Sequence, residues 1–474
     1  GLNTFTPQES TPDFHQRGFQ FGLQDRYVLG AQGLLTSQFN FRRYDADVLP
    51  NSTAPYRLLI ETTEGGFFDR QKRRSDRFQW QEIFQSGQKH FAGTHTLKLG
   101  LDFSHSSYDG RLSLSPVDIV GTAGYTLERI TFGPATPFSV TQNEVAWFAG
   151  DQWQPAERLS VDLGVRFDRD SITNSTHAAP RGGLIFALTR DRKTLLKAGG
   201  GLFYDRVPLN IAAFPEFPAR TVMTLSPSSE VLGSTAYTNT IFGSLRNPRS
   251  AAWNIELDRQ VTDQFAVRVA YQDRTTHDAL VVNPIASSLT VSNAGRDSYS
   301  EFQVTGVYQL RKNTINASYV RSRAYGDLND FNQFFGNSPV ATIEPNARGR
   351  LPFDAPNRFL VWSEISAPFK ITLMPVLDVH TGFPYSIQNE LREYVGPRNI
   401  DRFPRFVSYD LQATKEIRLP GPFKNRKAKV GVSVFNLFNH FDPRDVQSNI
   451  NSYRFGALFN SPPRTFRGKF VLDF

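Results

Sequence analysis

No cysteine occurs in the 474 residues, and only 2 methionines and 8 histidines do. The missing thiols exclude disulfides, Cys-ligated zinc and thiol chemistry, and they suit a chain that passes an oxidising compartment where a stray thiol is a hazard. The histidines show no H-x-x-x-H or H-E-x-x-H spacing, so neither a zinc site nor any other cofactor is expected. No uninterrupted apolar run reaches the roughly 18 residues that a membrane helix needs, which excludes a helical membrane protein. What the chain does have is aromatic residues, with 41 Phe, 16 Tyr and 5 Trp, beside 21% charged residues and a negative mean hydropathy. That mixture suits a barrel whose outside is apolar and ringed by aromatics while its inside and loops are polar. The net charge is +8, yet the one dense basic run is Arg70, Lys72, Arg73, Arg74 and Arg77, broken by Asp76. A nucleic-acid binder clusters its excess with interleaved aromatics, so no nucleic-acid partner is expected. The run reads as a solvated loop or one touching lipid A phosphates, with ligand capture as the other reading.

Alternation with period two carries the fold. Val161, Leu163, Val165 and Phe167 alternate with Asp162, Gly164, Arg166 and Asp168, and Trp253, Ile255 and Leu257 with Asn254, Glu256 and Asp258. The same dyad appears in Leu97, Leu99, Leu101 and Phe103, in Phe265, Val267, Val269 and Tyr271, and in Phe302, Val304, Gly306, Tyr308 and Leu310. Charges therefore sit mid-strand, where a soluble sandwich core rarely takes them unpaired. A water-filled or plugged lumen accepts them, so the expected class is all-β, a transmembrane antiparallel up-and-down barrel.

The connections alternate too. Tight links span 28–33, 154–158, 189–193, 260–264, 310–314, 366–370 and 419–427, whereas 44–74, 107–141, 205–250, 275–297, 323–356, 383–405 and 440–464 are long and rich in Pro, Asn, Gly and Ser. Short periplasmic turns and long extracellular loops produce that alternation. A soluble propeller shows a constant blade period instead. Seventeen strands result, near 17–29, 32–43, 75–87, 93–108, 142–154, 158–170, 181–189, 193–205, 250–260, 264–275, 298–310, 313–324, 356–366, 369–382, 406–418, 427–439 and 465–474. Complete bacterial barrels have even counts, and the first strand runs into a short turn, which sets residues 1–16 on the extracellular side. With Gly1 first and neither a signal peptide nor an initiator Met, residues 1–474 are expected to be one β-barrel domain, the C-terminal part of a longer barrel.

The last strand resembles the C-terminal assembly signal of bacterial outer-membrane proteins, with Gly468, Phe470 and Leu472 spaced before a terminal Phe474. The segment Val145 to Asp168 resembles paired strands of TonB-dependent outer-membrane receptors, an aromatic strand ending in D-x-W (Asp151, Trp153) and then L-x-L-x-x-G-x-R-F-D. Val434 to His440 resembles their N-L-F-N near the penultimate strand, and Thr381 to Tyr385 their G-x-P-(F/Y). Together these cover about two-thirds of the chain in register, and the loop style resembles the Oar-like subgroup, which carries a carboxypeptidase-regulatory-like domain before the plug. The resemblance implies a 22-stranded barrel filled by an N-terminal plug, of which this chain supplies about 17 strands and no plug. It also implies that the segment meeting TonB lies upstream of Gly1.

The function so implied is import of a scarce ligand across the bacterial outer membrane with energy relayed by TonB, and no enzymatic activity. Passive porin-like diffusion is the alternative, and a surface barrel enzyme or adhesin a weaker one. Expected partners are outer-membrane lipid and lipopolysaccharide, the outer-membrane insertion machinery, TonB and an extracellular ligand of unknown identity. Asp162, Arg166, Asp168, Glu256, Asp258 and Arg268 are the candidates for plug contact, the plainer reading being that they solvate the wall or pair across strands. Asp162 and Asp168 stand roughly 20 Å apart on one strand face, too far to share a proton transfer. Asp327 to Asp330 has hard oxygens suited to Ca²⁺ but no EF-type spacing, and reads as a turn. Gly199 to Gly201 reads as a kink or close packing within a strand.

Overall fold

The computed structural model describes residues 5–418 and 427–473. Its wall consists of strands β1 (Pro12–Val28), β2 (Gly33–Pro50), β3 (Asp69–Ser86), β4 (Thr94–Leu114), β5 (Pro137–Ala156), β6 (Leu159–Asp170), β7 (Thr176–Ala187), β8 (Thr194–Tyr204), β9 (Arg249–Gln260), β10 (Phe265–Ile285), β11 (Ser288–Leu310), β12 (Asn313–Asp327), β13 (Asn357–Ala367), β14 (Ile371–His380), β15 (Phe406–Arg418), β16 (Lys427–Phe435) and β17 (Thr465–Asp473). Each pairs antiparallel with the next in chain order. Among the described residues no ladder joins β1 to β17, so the wall keeps two edges. Strand accounts for 66% of the structure and helix for 4%, as the all-β expectation requires.

The two faces of this wall invert the usual order of a soluble protein. Leu101, Trp147 and Trp253 are 60%, 48% and 50% exposed, while Ser104, Ser318 and Asp102 on the opposite face are 1%, 6% and 8% exposed. Apolar surface on that scale would drive a soluble chain to aggregate; against lipid it is the solvated side. Aromatic pairs reinforce it, with Trp147 stacked on Phe167 at 4.1 Å and Trp253 against Tyr271 at 5.2 Å. Their alternation is the alternation of the sequence, because side-chain period two and antiparallel register put like with like across neighbouring strands.

Several strands run beyond the expected limits. The link 275–297 is no irregular loop: β10 and β11 continue as a tall hairpin closed at Ala286 and Ser287, with Ala286 at φ 51°. Likewise 44–50, 69–74, 107–114 and 137–141 belong to strands rather than loops. Above the lipid both faces meet water, so the apolar dyad ends although the ladder does not. The short-and-long alternation also breaks at 171–175, a tight turn in which Asp170 Oδ1 accepts from the backbone N–H groups of Ile172 and Thr173 at 2.9 and 2.8 Å. The basic run is strand as well. Asp76 binds Arg43 at 2.8 Å and Asp45 binds Arg74 at 2.8 Å on the outer face, while Arg77 turns inward to Glu144 at 3.8 Å.

The long links are built rather than loose. Strands 56–58, 117–120, 126–132, 220–225 and 231–241 form a second sheet above the wall, which rejoins it where 238–241 pairs parallel with 288–291. Beneath it Val207, Ile211, Phe214, Phe217, Val282, Val291, Phe331 and Phe334 make a core of their own. Residues 5–11 belong to this end: Thr63 donates to the Phe5 carbonyl at 2.8 Å and Ser10 to that of Gly65 at 2.7 Å. That is the side expected for the first residues. Phe474 and the link 419–426 lie outside the described residues.

Candidate functional site

All six candidate plug-contact residues project from the polar face, and the register groups five of them. Lys197 of β8 stands opposite Glu256 of β9, and its ammonium reaches both Glu256 (2.7 Å) and Asp258 (2.6 Å). Arg268 of β10, opposite Asp258, binds it at 2.9 Å and Glu256 at 3.4 Å. These four close one network over three strands. In a second group Arg166 binds Asp168 (2.8 Å) and Asp102 (3.6 Å), beside Glu144, which takes Arg206 at 2.7 Å and the Ser104 hydroxyl at 2.8 Å. A cleft of about 150 Å³ runs between Asp102, Glu144, Arg166, Asp168, His177 and Arg206. Asp162 stands apart, exposed, on a recess of about 590 Å³ shared with Lys98, Gln152 and Arg181.

Sequence reading missed Lys197, Asp102, Glu144 and Arg206. Lys197 lies beside the triple glycine, where the dyad has no side chains to reveal it. A Cβ on Gly201 would come 2.7 Å from the Pro180 carbonyl, so that run is a close strand approach, as expected. Arg206 enters from a long link and has no periodicity at all.

The motif residues turn out to position backbone. Asp151 and Trp153 hold His95 on the apolar face near the short turns, by a 2.6 Å bond and a stack at 5.7 Å, and Trp153 Nε1 donates to the Ala92 carbonyl at 3.0 Å. Asn436, at φ 50°, donates its backbone N–H to Asp410 Oδ1 (2.8 Å), and its side-chain amide donates to the carbonyls of His440 (2.9 Å) and Pro462 (3.0 Å), shaping the link after β16. A Cβ on Gly382 would collide with the Phe403 carbonyl at 1.8 Å. Asp330 caps the short helix Phe331–Phe335, and Asp327 accepts from the Arg296 N–H and the Asn346 amide; among the described residues no acidic or histidine group suits a metal.

The long links meet across the mouth. Thr122, between β4 and β5, donates through N and Oγ1 to Glu390 Oε2, between β14 and β15, at 2.9 and 3.1 Å. Gln447, between β16 and β17, donates to the Ile60 carbonyl at 3.1 Å, and Arg392 to that of Leu59. Contacts between links whose strands stand so far apart along the ladder require the wall to curl around a space. Buried charge stiffens this roof. Burial pushes the Asp69 carboxyl up to about 7 and pulls Arg220 down to about 10, where the guanidinium lies between the Phe132 and Phe335 rings and binds the Ala341 carbonyl at 2.6 Å. Burial and the Glu393 charge raise Glu128 and Glu344 as well.

The family described as TonB dependent receptor-like, beta-barrel, matches residues 1–437. No curated protein matches. Among solved structures, the chain is similar to the outer membrane transporter YddB from Escherichia coli (TM-score 0.68, 14% identity, 99% of this chain and 63% of that one). It is also similar to the ferric-catecholate import receptor Fiu from E. coli K12 (0.61, 11%, 98% and 65%) and to the siderophore receptor PiuA from Acinetobacter baumannii (0.62, 12%, 99% and 67%). The chain thus spans less than two thirds of the length of the first two. At these identities the likeness is one of fold, and with the family match over most of its length the chain belongs to the TonB-dependent receptors, in their β-barrel region, and its place is the bacterial outer membrane.

Proposed function

We propose that this chain is the greater part of the barrel of a receptor that imports a scarce ligand using energy relayed by TonB. The observation that carries the reading is the pairing of a polar face lined with ion-paired carboxylates and guanidinium groups with a roof of links bonded across the mouth. The two edges at β1 and β17 fit a wall completed by strands outside this chain, about five if the closed barrel has 22. A plug would then lie against Asp162, Arg166, Asp168, Glu256, Asp258 and Arg268 and hold through groups that exchange partners without leaving a charge buried alone. Extracellular links bind the ligand, and a pull by TonB on an extended segment of the plug region rearranges it. The apolar face meets outer-membrane lipid and lipopolysaccharide, and the insertion machinery reads Gly468, Phe470, Leu472 and Phe474.

Binding and uptake measured separately on the full-length protein, with and without TonB, test this. Ferric catecholate compounds are the first probes, by analogy with Fiu. Uptake that stops without TonB while surface binding persists supports active import. Uptake that continues without TonB makes the protein a passive channel.

A further inference from the structure

Arg321 and Arg323 of β12, and Arg350 of the short strand Arg348–Arg350 that pairs with the end of β12, lie on the outer, apolar side of the wall. Register fixes this. Arg321 stands opposite Phe302 and follows Tyr319 on the same face, and those two rings are 42% and 41% exposed; Arg350 stands opposite Tyr325. Same-face residues step by about 7 Å along a strand, so the arginines begin where the aromatic belt of Tyr271, Phe302, Tyr319 and Phe359 ends. That is the height of lipid headgroups. All three are exposed, and with Tyr271, Ser300 and Tyr325 they line a recess of about 570 Å³, whose two carboxylates are already engaged, Glu301 by the Tyr299 hydroxyl and Asp354 by Arg402.

Among the described residues none of the three is ion-paired: Arg321 donates to Asn357 Oδ1 (2.9 Å), Arg350 to the Ile400 carbonyl (2.9 Å), and Arg323 lies over the Tyr325 ring at 5.5 Å. A guanidinium has five N–H donors, so most remain for a ligand. The nearby Asp327 is occupied by the Arg296 N–H and the Asn346 amide. In the basic run that the sequence brings forward, Arg74 is paired with Asp45 and Arg77 with Glu144, and Asp47 and Asp109 share a recess with Lys72 and Arg73.

We propose that Arg321, Arg323 and Arg350 bind the phosphate groups of a phosphorylated glycolipid of the outer leaflet, whose acyl chains lie along Phe302 and Tyr319. Planar guanidinium groups match phosphate oxygens two at a time, and the adjoining rings supply the surface that chains need. The proposal rests on the reading of the apolar face as lipid-covered, and it locates one lipid on that face.

The full-length protein, extracted from outer membranes in mild detergent, is tested as wild type, as R321Q/R323Q/R350Q and as the control R74Q/R111Q, with bound glycolipid counted by native mass spectrometry. The triple variant loses the lipid while the control keeps it, and lipid titration shows affinity falling about fivefold per arginine removed. Equal retention by the triple variant, or equal loss by the control, overturns the site. Dephosphorylated glycolipid binding as well as the native form also overturns it. So does inorganic phosphate displacing the lipid at matching concentration, because the site is then one for free phosphate. Heat-dependent gel mobility reports whether each barrel is folded; should the triple variant not fold, R350Q, on a short strand that is not one of the seventeen of the wall, carries the same comparison. Wild-type protein missing from the outer membrane fails the underlying reading, whereas wild type in the membrane with unchanged lipid fails this site alone.

Discussion

Lys197 and Glu256 are direct cross-strand partners on β8 and β9, and their side chains meet at 2.7 Å. The register that pairs them also sets Leu196 against Leu257 on the other face, so one backbone ladder organises an ionic surface and an apolar one at once. A one-residue slip would exchange the two faces and bury each set in the wrong medium. The wall is therefore specified by its solvents on both sides, with no dry core to do so.

The two faces answer differently to substitution. Leu257→Arg is expected to cost about 2–4 kcal/mol at a position near the lipid midplane and less towards either interface, whereas Glu256→Gln, in a partly solvated network that keeps Asp258, costs less than about 1 kcal/mol. Urea unfolding of the full-length barrel in phospholipid vesicles measures both. Equal penalties would mean that the assignment of faces is inside out.

The final strand carries an assembly prediction. Phe466 and Phe470 are 66% and 64% exposed, and Phe470 stands opposite Val430 on the lipid side of β16. Phe470→Ser or Phe474→Ser in the full-length protein is expected to lower its level in the outer membrane without changing its synthesis, because the signal acts at insertion. Quantitative blotting of membrane fractions against total protein checks it; unchanged surface levels count against the signal.

The wall was legible because period-two alternation is a local property, visible in Leu97 to Phe103 or Trp253 to Leu257 without any partner. What lay above the lipid was not. Arg70 to Arg74 read as loop because both faces of that strand are polar, and 275–297 read as loop because Asn283, Pro284 and Asn293 look like turn residues although the ladder continues past them. The roof contacts, such as Thr122 with Glu390, join residues 268 apart in sequence, and no local pattern encodes a pairing of that kind. The ion-pair groups were half visible: Glu256 and Asp258 follow from alternation, but Lys197 needed the β8 register.

The roof should respond to pH through Asp69. Its carboxyl ordinarily titrates near 3.8, and burial raises it to about 7 in the fold, so the folded state favours the protonated form. The stability this group contributes is full below about pH 4 and is lost as pH rises through about 7. Hydrogen exchange in residues 51–68 and 205–248 should accelerate between about pH 4 and pH 7 beyond the intrinsic rate change and show no further excess above that, and Asp69→Asn should flatten the excess. A profile identical in wild type and variant would assign the pH response to another group.

Movement of the roof is the remaining test. If ligand enters through the mouth, the links joined by Thr122 and Glu390 must part during each cycle, and holding them together must stop transport. The absence of cysteine makes the experiment clean: Thr122→Cys with Glu390→Cys in the full-length receptor places the only two thiols of this chain on opposite sides of the contact. A short, cleavable thiol-to-thiol linker is expected to abolish uptake of a bound probe, cleavage to restore it, and either single cysteine treated alike to leave it unchanged. The single variants also control for the lost hydrogen bonds, each of which is worth only about 1 kcal/mol. Uptake at the untethered rate in the linked receptor would show that ligand passes without separation of these two links.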